Sequence, residues 1–326
     1  GMMYRRRLAQ NKSCTAAEFH GAQQSLIETF LREESAFREA GSGKWKRPMT
    51  LFQYSSCPFC NKVRAVLDYH RVPYGIVEVD PLFKKEIQHT GYSKVPQLLV
   101  AADQSEAAPA TPGPVKDGDL LLVDSESMLD IIEPLLQDGE EASSVSEDVR
   151  KWRTWAGEVL VRYLVLNTNR TLSESLQGYD YVDESLDYPA WRKMLLKYVG
   201  STTMFLVARY VTAAKLRKQF GYDANVTDTP AGPERFNMMQ EIQKWQEEGL
   251  QTSDEPFHGG SNPDRADLEV YGIFQSVRPL PVYDDILQSS GPRLAQWLSA
   301  MDSVMPAKYS EIRPIATELL HKESHE

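Results

Sequence analysis

Apolar positions near the start of the chain recur mostly at helical spacing: Phe19, Leu26, Ile27, Phe30, Leu31 and Phe37, with Gly41-Ser42-Gly43 closing the pattern. They predict an isolated amphipathic helix over residues 15–40 and then a linker. From Met49 the period changes. The run Met49-Thr50-Leu51-Phe52-Gln53-Tyr54 has strand character, residues 58–70 are helical, and residues 74–79 form a second strand stopped by Asp80-Pro81. That order is a compact β-α-β unit. A short helix is expected around residues 84–88, followed by a strand over residues 94–100. The Pro/Gly/Ala-rich stretch 102–118 separates it from Leu120-Leu121-Leu122-Val123, so these two runs read as hairpin strands around a long exposed loop. Asp124 and Ser125 offer cap oxygens to a closing helix, in which Met128, Leu129, Ile132 and Leu135 recur at helical spacing.

After Gln137 strand signals almost vanish. The acidic, serine-bearing segment 138–148 reads as a linker, and helical patterns cover residues 149–167, 188–220, 233–250, 264–277 and 291–305, with a shorter C-terminal piece. No fixed-period repeat is visible, which predicts one helical bundle rather than a solenoid. The expected organisation is an N-terminal extension over 1–48, an α/β domain over 49–137, a linker at 138–148 and an all-helical domain over 149–326.

Composition narrows the function classes. A chain of 326 residues with 41% hydrophobic and 25% charged content is long enough for about two domains with a sizeable core. Its net charge of −10 argues against a nucleic-acid partner, which demands a basic stripe. No uninterrupted apolar run approaches the roughly 20 residues that span a bilayer. The expected location is cytoplasmic or peripherally membrane-associated. The opening Gly1-Met2-Met3 reads as a residual glycine ahead of a start methionine, so a natural N-terminal extension is expected to be missing.

Candidate chemistry centres on Cys57-Pro58-Phe59-Cys60. Cys14 is the third cysteine of the chain, so no multi-bridge disulfide framework can form. The histidines His20, His70, His89, His258, His321 and His325 are scattered singly, and without companions at ligand spacing the cysteine pair lacks a zinc shell. No metal is expected. Cys57 falls where a strand ends and a helix begins, with Pro58 at the first helical position. Unpaired N–H groups and the positive end of the helix dipole favour a thiolate there and make Cys57 the nucleophile. Cys60, one turn on, either resolves a mixed disulfide or merely packs. Val95-Pro96 lies at a strand start, where a cis bond leaves the valine backbone to pair with an extended peptide ligand. Asp124-Ser125 can hold a carboxylate and an amine, or can simply cap its helix. Asp264 and Asp267 fit N-cap and N3 of a helix, an arrangement read as ordinary capping.

The motifs YSSCPFC, KVPQLLV and VDSES occur in the order found in glutaredoxins and the glutathione transferase superfamily. More narrowly, CPFCNKVRAVLDYHRVPYGIVEVDP, YSKVPQLLV, VDSES, RKWRTWAGEVLV and ADLEVYG resemble the membrane-associated prostaglandin E synthase type 2 family over most of residues 49–305. The resemblance implies an α/β plus all-α fold: a thioredoxin-like (glutaredoxin-like) domain with a mixed sheet, then a glutathione-transferase-type helical domain. It implies catalytic roles for Cys57, Cys60 and Tyr54, and glutathione contacts at Phe59, Val95, Pro96, Asp124 and Ser125. The implied reaction is glutathione-dependent isomerisation of the prostaglandin endoperoxide to prostaglandin E, with haem bound in some members. Alternatives are a glutaredoxin-like thiol-disulfide oxidoreductase, a glutathione transferase, and a non-catalytic glutathione- or haem-binding protein. Its partners are then small molecules, namely a peroxide, a lipid endoperoxide or a glutathione mixed disulfide, and the superfamily's habit of pairing implies a homodimer.

Overall fold

The computed structural model describes residues 15–39, 45–102, 115–136, 146–180, 188–226, 232–250 and 255–306. The loop expected at 102–118, the linker at 138–148, Cys14 and the short C-terminal helical piece lie wholly or mostly outside them. The chain divides into two compact units, one within Gly1–Ser144 and the other Val145–Met305.

The first unit is built on a four-stranded sheet in the order β2-β1-β3-β4. Strand β1 (Met49–Gln53) pairs in parallel with β2 (Gly75–Glu78) and antiparallel with β3 (Gln97–Val100), which pairs antiparallel with β4 (Leu120–Val123). Every residue of the four strands is buried, which is why they read as near-continuous apolar runs rather than alternating ones. Helix α3 (Pro58–Tyr69) makes the crossover from β1 to β2, and α4 (Ser125–Leu136) follows β4 and packs against α3. Lys62 on α3, almost wholly buried, reaches Glu126 of α4 at 2.7 Å. The fold is thioredoxin-like with a mixed sheet, followed by an all-helical unit, as the sequence implied.

The N-terminal segment differs from its sequence reading. It forms two helices, α1 (Ala16–Gly21), which packs on β4, and α2 (Gln24–Glu39), which packs against α4. Thr15 and Glu18 close a reciprocal capping box on α1, and Phe19 enters the cluster of Phe52, Val77, Leu99 and Leu121. The break at Ala22-Gln23 has a purpose. Gln23 donates to Leu121 O at 3.0 Å and accepts from Leu121 N at 3.1 Å, while His20 Nε2 accepts from Val123 N at 3.0 Å. These side chains satisfy the outer edge of β4, which no strand covers among the described residues.

The second unit is helical throughout its long elements. Helix α5 (Glu147–Trp155) runs through the π-helical Ala156–Leu160 into α6 (Val161–Thr168). After α7 (Leu172–Gln177), a rod comprises α8 (Ala190–Leu206), the π-helical Val207–Thr212 and α9 (Ala213–Gln219). Helices α10 (Gly232–Lys244), α11 (Arg265–Gln275), α12 (Pro281–Ser289) and α13 (Pro292–Val304) complete it. Trp152, Trp245 and Trp297 are fully buried, with edge-on ring centroids 5.1 Å and 5.5 Å apart for the successive pairs. Glu269, buried on α11, takes Arg153 and Arg265 on the same carboxylate oxygen at 2.9 and 2.8 Å.

Candidate active site

Strand register gathers the sequence motifs at one end of the sheet. Phe52 pairs with Gln97, and Gln97 with Val123, so the loop after β1, the loop before β3 and the turn after β4 emerge side by side. Those three connections carry Cys57, Val95-Pro96 and Asp124-Ser125. Gln53 pairs with Glu78 in the adjoining register, which brings the end of β2 to the same place.

Cys57 is the N-cap of α3, with extended backbone, and Pro58 occupies the first helical position. Cys57 is partly buried as a residue, whereas Cys60 is fully buried, and the two are free thiols. The Cys60 S–H directed at Cys57 lowers the Cys57 pKa most; burial opposes it, the N–H groups of Cys60 and Phe59 assist, and the charge of Glu78 opposes. The net shift is downward. Cys60 goes the other way, pushed well up by burial and then by the Cys57 sulfur, with the Tyr54 N–H opposing. Cys57 is therefore the more acidic of the two thiols, with the Cys60 S–H as its hydrogen-bond donor.

Tyr54 contributes through its backbone: its carbonyl accepts the Cys57 N–H at 3.0 Å and its N–H faces Cys60. Its half-buried ring packs with Val95 against the cluster around Phe52. Val95–Pro96 is cis. Asp124 is exposed with φ of 64°, and its Oδ1 accepts from Ser127 N and Ser127 Oγ, each at 3.1 Å, while Ser125 is buried. Asp124 thus caps α4.

Sequence reasoning missed the polar residues that hold these loops. Asn61 Nδ2 donates to Ser55 O at 2.8 Å and Cys57 O at 3.0 Å, pinning the thiol loop to the first turn of α3. Buried Gln97 donates to Tyr92 O and Lys94 O, both at 2.8 Å, fixing the chain just before Val95. Glu78 accepts from Ser55 N at 2.5 Å and from Gln53 Nε2 at 3.2 Å, and burial raises its pKa. The available signal was a glutamine or glutamate at the end of an otherwise apolar strand.

A second His and carboxylate constellation lies in the helical unit. Asp264 Oδ1 accepts from Ala266 N and Asp267 N, and Asp267 Oδ2 accepts from Asp264 N, completing the box expected at α11. Asp267 also takes His258 N, Gly259 N and Trp297 Nε1 at 2.9, 3.0 and 2.8 Å. Burial and the neighbouring Asp264 charge raise Asp267 to about 6. His258 bridges Asp264 at 2.5 Å and Asp148 at 2.9 Å, stacked on Trp245. These contacts make it a lock between the start of α5 and the start of α11.

A glutaredoxin family model matches residues 49–103. Prostaglandin E synthase 2 from Mus musculus is 29% identical over 284 residues, covering 78% of this chain and 69% of that protein. The protein of the same name from Danio rerio is 29% identical over 281 residues, covering 78% and 70%. Similar solved structures include human glutathione transferase theta-2 in complex with glutathione and an unknown ligand, at 17% identity, 81% and 84% coverage and a TM-score of 0.46. A glutathione S-transferase from Methylobacillus flagellatus with glutathione bound shows 15% identity, 82% and 100% coverage and a TM-score of 0.43. The chain therefore resembles prostaglandin E synthase type 2 over most of its length, with a glutaredoxin segment that carries Cys57, Cys60 and Val95-Pro96.

Proposed function

We propose that the protein is a glutathione-dependent enzyme acting through the Cys57 thiolate, and that its reaction is isomerisation of a prostaglandin-type endoperoxide. The observation carrying the reading is the placement of Cys57. Its sulfur takes the Cys60 S–H and two backbone N–H groups at the sheet end that also presents Val95 and Asp124-Ser125. Glutathione fits this end by its chemistry: the Val95 backbone pairs with its peptide unit, while the start of α4 receives its carboxylate and the Asp124 side chain its amine. Pro96 and Phe59 flank it. Haem enters no step of this reading.

Cys57 attacks one oxygen of the cyclic peroxide, forming an S–O bond as the O–O bond breaks. The second oxygen leaves as an alkoxide and takes a proton. Loss of the proton from the carbon bearing the sulfur-bound oxygen then forms the ketone and returns the thiolate, with no net oxidation. Buried, high-pKa Cys60 favours a second reading, glutaredoxin-like thiol-disulfide exchange. There Cys57 attacks a glutathione mixed disulfide, expels the other thiolate and keeps the glutathionyl group, until a further glutathione or Cys60 removes it.

Purified protein assayed side by side with prostaglandin endoperoxide and with a glutathione mixed disulfide separates the two. Glutathione-dependent endoperoxide conversion lost in Cys57→Ser is expected; undetectable conversion beside active exchange removes the isomerase reading. Turnover that survives Cys60→Ser assigns the resolving step to glutathione.

A further inference from the structure

The turn that carries Asp124-Ser125 is held from outside the sheet by a residue of the N-terminal segment. His20 of α1 is buried, and its Nε2 accepts the Val123 N–H at 3.0 Å. Accepting there requires a neutral ring with its proton on Nδ1. Val123 ends β4 and is fully buried, and the next residue, Asp124, turns the chain through a left-handed conformation with φ of 64°. Residues other than glycine hold that conformation where their surroundings impose it, and the contact at Val123 N is one of the restraints. The helix itself is anchored. Phe19 enters the core cluster and meets the Tyr92 ring edge-on at 5.7 Å, while Gln23 is bonded to both backbone groups of Leu121.

Protonation undoes this contact. An imidazolium sets an N–H against the Val123 N–H and leaves a buried donor without its acceptor. It also becomes a cation beside Asp124, whose charge acts on the ring. On the elements around α1, the charged groups nearest in sequence to these contacts are already engaged: Glu18 with Thr15, Glu28 of α2 with Gln24, Asp119 ahead of β4 with Ala102 N and Lys116 N, and Glu126 of α4 with Lys62. Strands β3 and β4 carry no charged residue. Burial lowers the His20 pKa against the pull of Asp124, so the ring is neutral at neutral pH and gains its proton on acidification.

We propose that neutral His20 is a positioning residue that sets the Asp124-Ser125 turn for the amino-acid end of glutathione, and that its protonation releases the turn and weakens binding. The proposal rests on glutathione binding through Asp124 and Ser125, where the imidazolium competes with the ligand's amine for the same carboxylate. The probe is S-methylglutathione, which has no thiol to titrate, measured by calorimetry against the full chain at about pH 7.5 and about pH 5. Wild-type affinity should fall roughly threefold or more on acidification. His20→Gln keeps a side-chain acceptor but cannot gain a proton, so its affinity should be nearly the same at both pH values. Titration of Cys57 is common to the two proteins and cancels from the comparison. Without ligand, protection of the Val123 amide against hydrogen exchange, followed by NMR, should drop on acidification in the wild type and hold in His20→Gln. An equal loss of affinity with acid in both proteins, or a Val123 amide whose protection ignores the substitution, overturns the proposal and leaves glutathione binding intact. A wild type that fails to bind S-methylglutathione at the higher pH overturns both.

Discussion

At the start of α3 the N-cap side chain is the Cys57 thiol; at the start of α11 it is the Asp264 carboxylate. Both sit at the positive end of a helix, where unpaired N–H groups favour an anion. Around Asp264 the acceptors are spent: its own box closes through Asp267, which also holds Trp297, His258 and Gly259. Around Cys57 the donors are aimed at the sulfur of a residue that stays partly exposed, and its side-chain donor, Cys60, is itself a thiol. The same local device stores stability when saturated and reactivity when its anion is left accessible.

The comparison breaks most sharply at Cys57 and at Asp267, the N3 residue that closes the Asp264 box. Cys57→Ser should abolish thiol transfer and leave unfolding stability within about 0.5 kcal/mol, as a small substitution at an accessible position. Asp267→Ala should do the reverse, costing about 3 kcal/mol because buried donors lose their acceptor, while Cys57 alkylation in the folded protein is unchanged. Denaturant midpoints and alkylation rates on both variants test the pair. A stability loss at Cys57 comparable to that at Asp267 would erase the distinction.

A smaller effect concerns pH, with opposite signs in the two units. Burial lowers the His20 pKa, against the Asp124 charge, and His20 accepts the Val123 N–H only as the neutral ring. Its contribution is complete above the ordinary value of 6.5 and is lost as pH falls from there toward the lowered value. For His258 burial pulls downward, but Asp264, Asp267 and Asp148 outweigh it and raise the pKa. Its contribution is complete below 6.5 and is lost as pH rises through the raised value. Urea midpoints between about pH 5 and 8 should therefore show His20→Gln flattening the acid loss and His258→Gln the alkaline loss. The same slope in both variants would contradict these assignments.

The reactive cap was legible because its signals are local: a strand, then Cys-Pro-Phe-Cys, then helical periodicity. Val95-Pro96 and Asp124-Ser125 were legible as strand and helix starts, and the register of β1, β3 and β4 explains why they meet. What supports them was not. Asn61, Gln97 and Glu78 act through hydrogen bonds that exist only once the loops are folded, and Gln23 reaches Leu121 across 98 positions of sequence. Leu172–Gln177 and Pro281–Ser289 were missed as helices because six and nine residues give too little periodicity. Their caps did leave a trace, since Thr171 and Glu174 close a capping box and Pro281 stands at a first position.

The central claim is that Cys57 is a thiolate because Cys60 and the helix start hold its charge. Alkylation by iodoacetamide followed across pH, with the Cys57 peptide quantified by mass spectrometry, reads this directly. The Cys57 midpoint should lie below that of an ordinary thiol, move upward in Cys60→Ala and move further downward in Glu78→Gln. A midpoint at the ordinary thiol value that neither substitution moves would contradict the account.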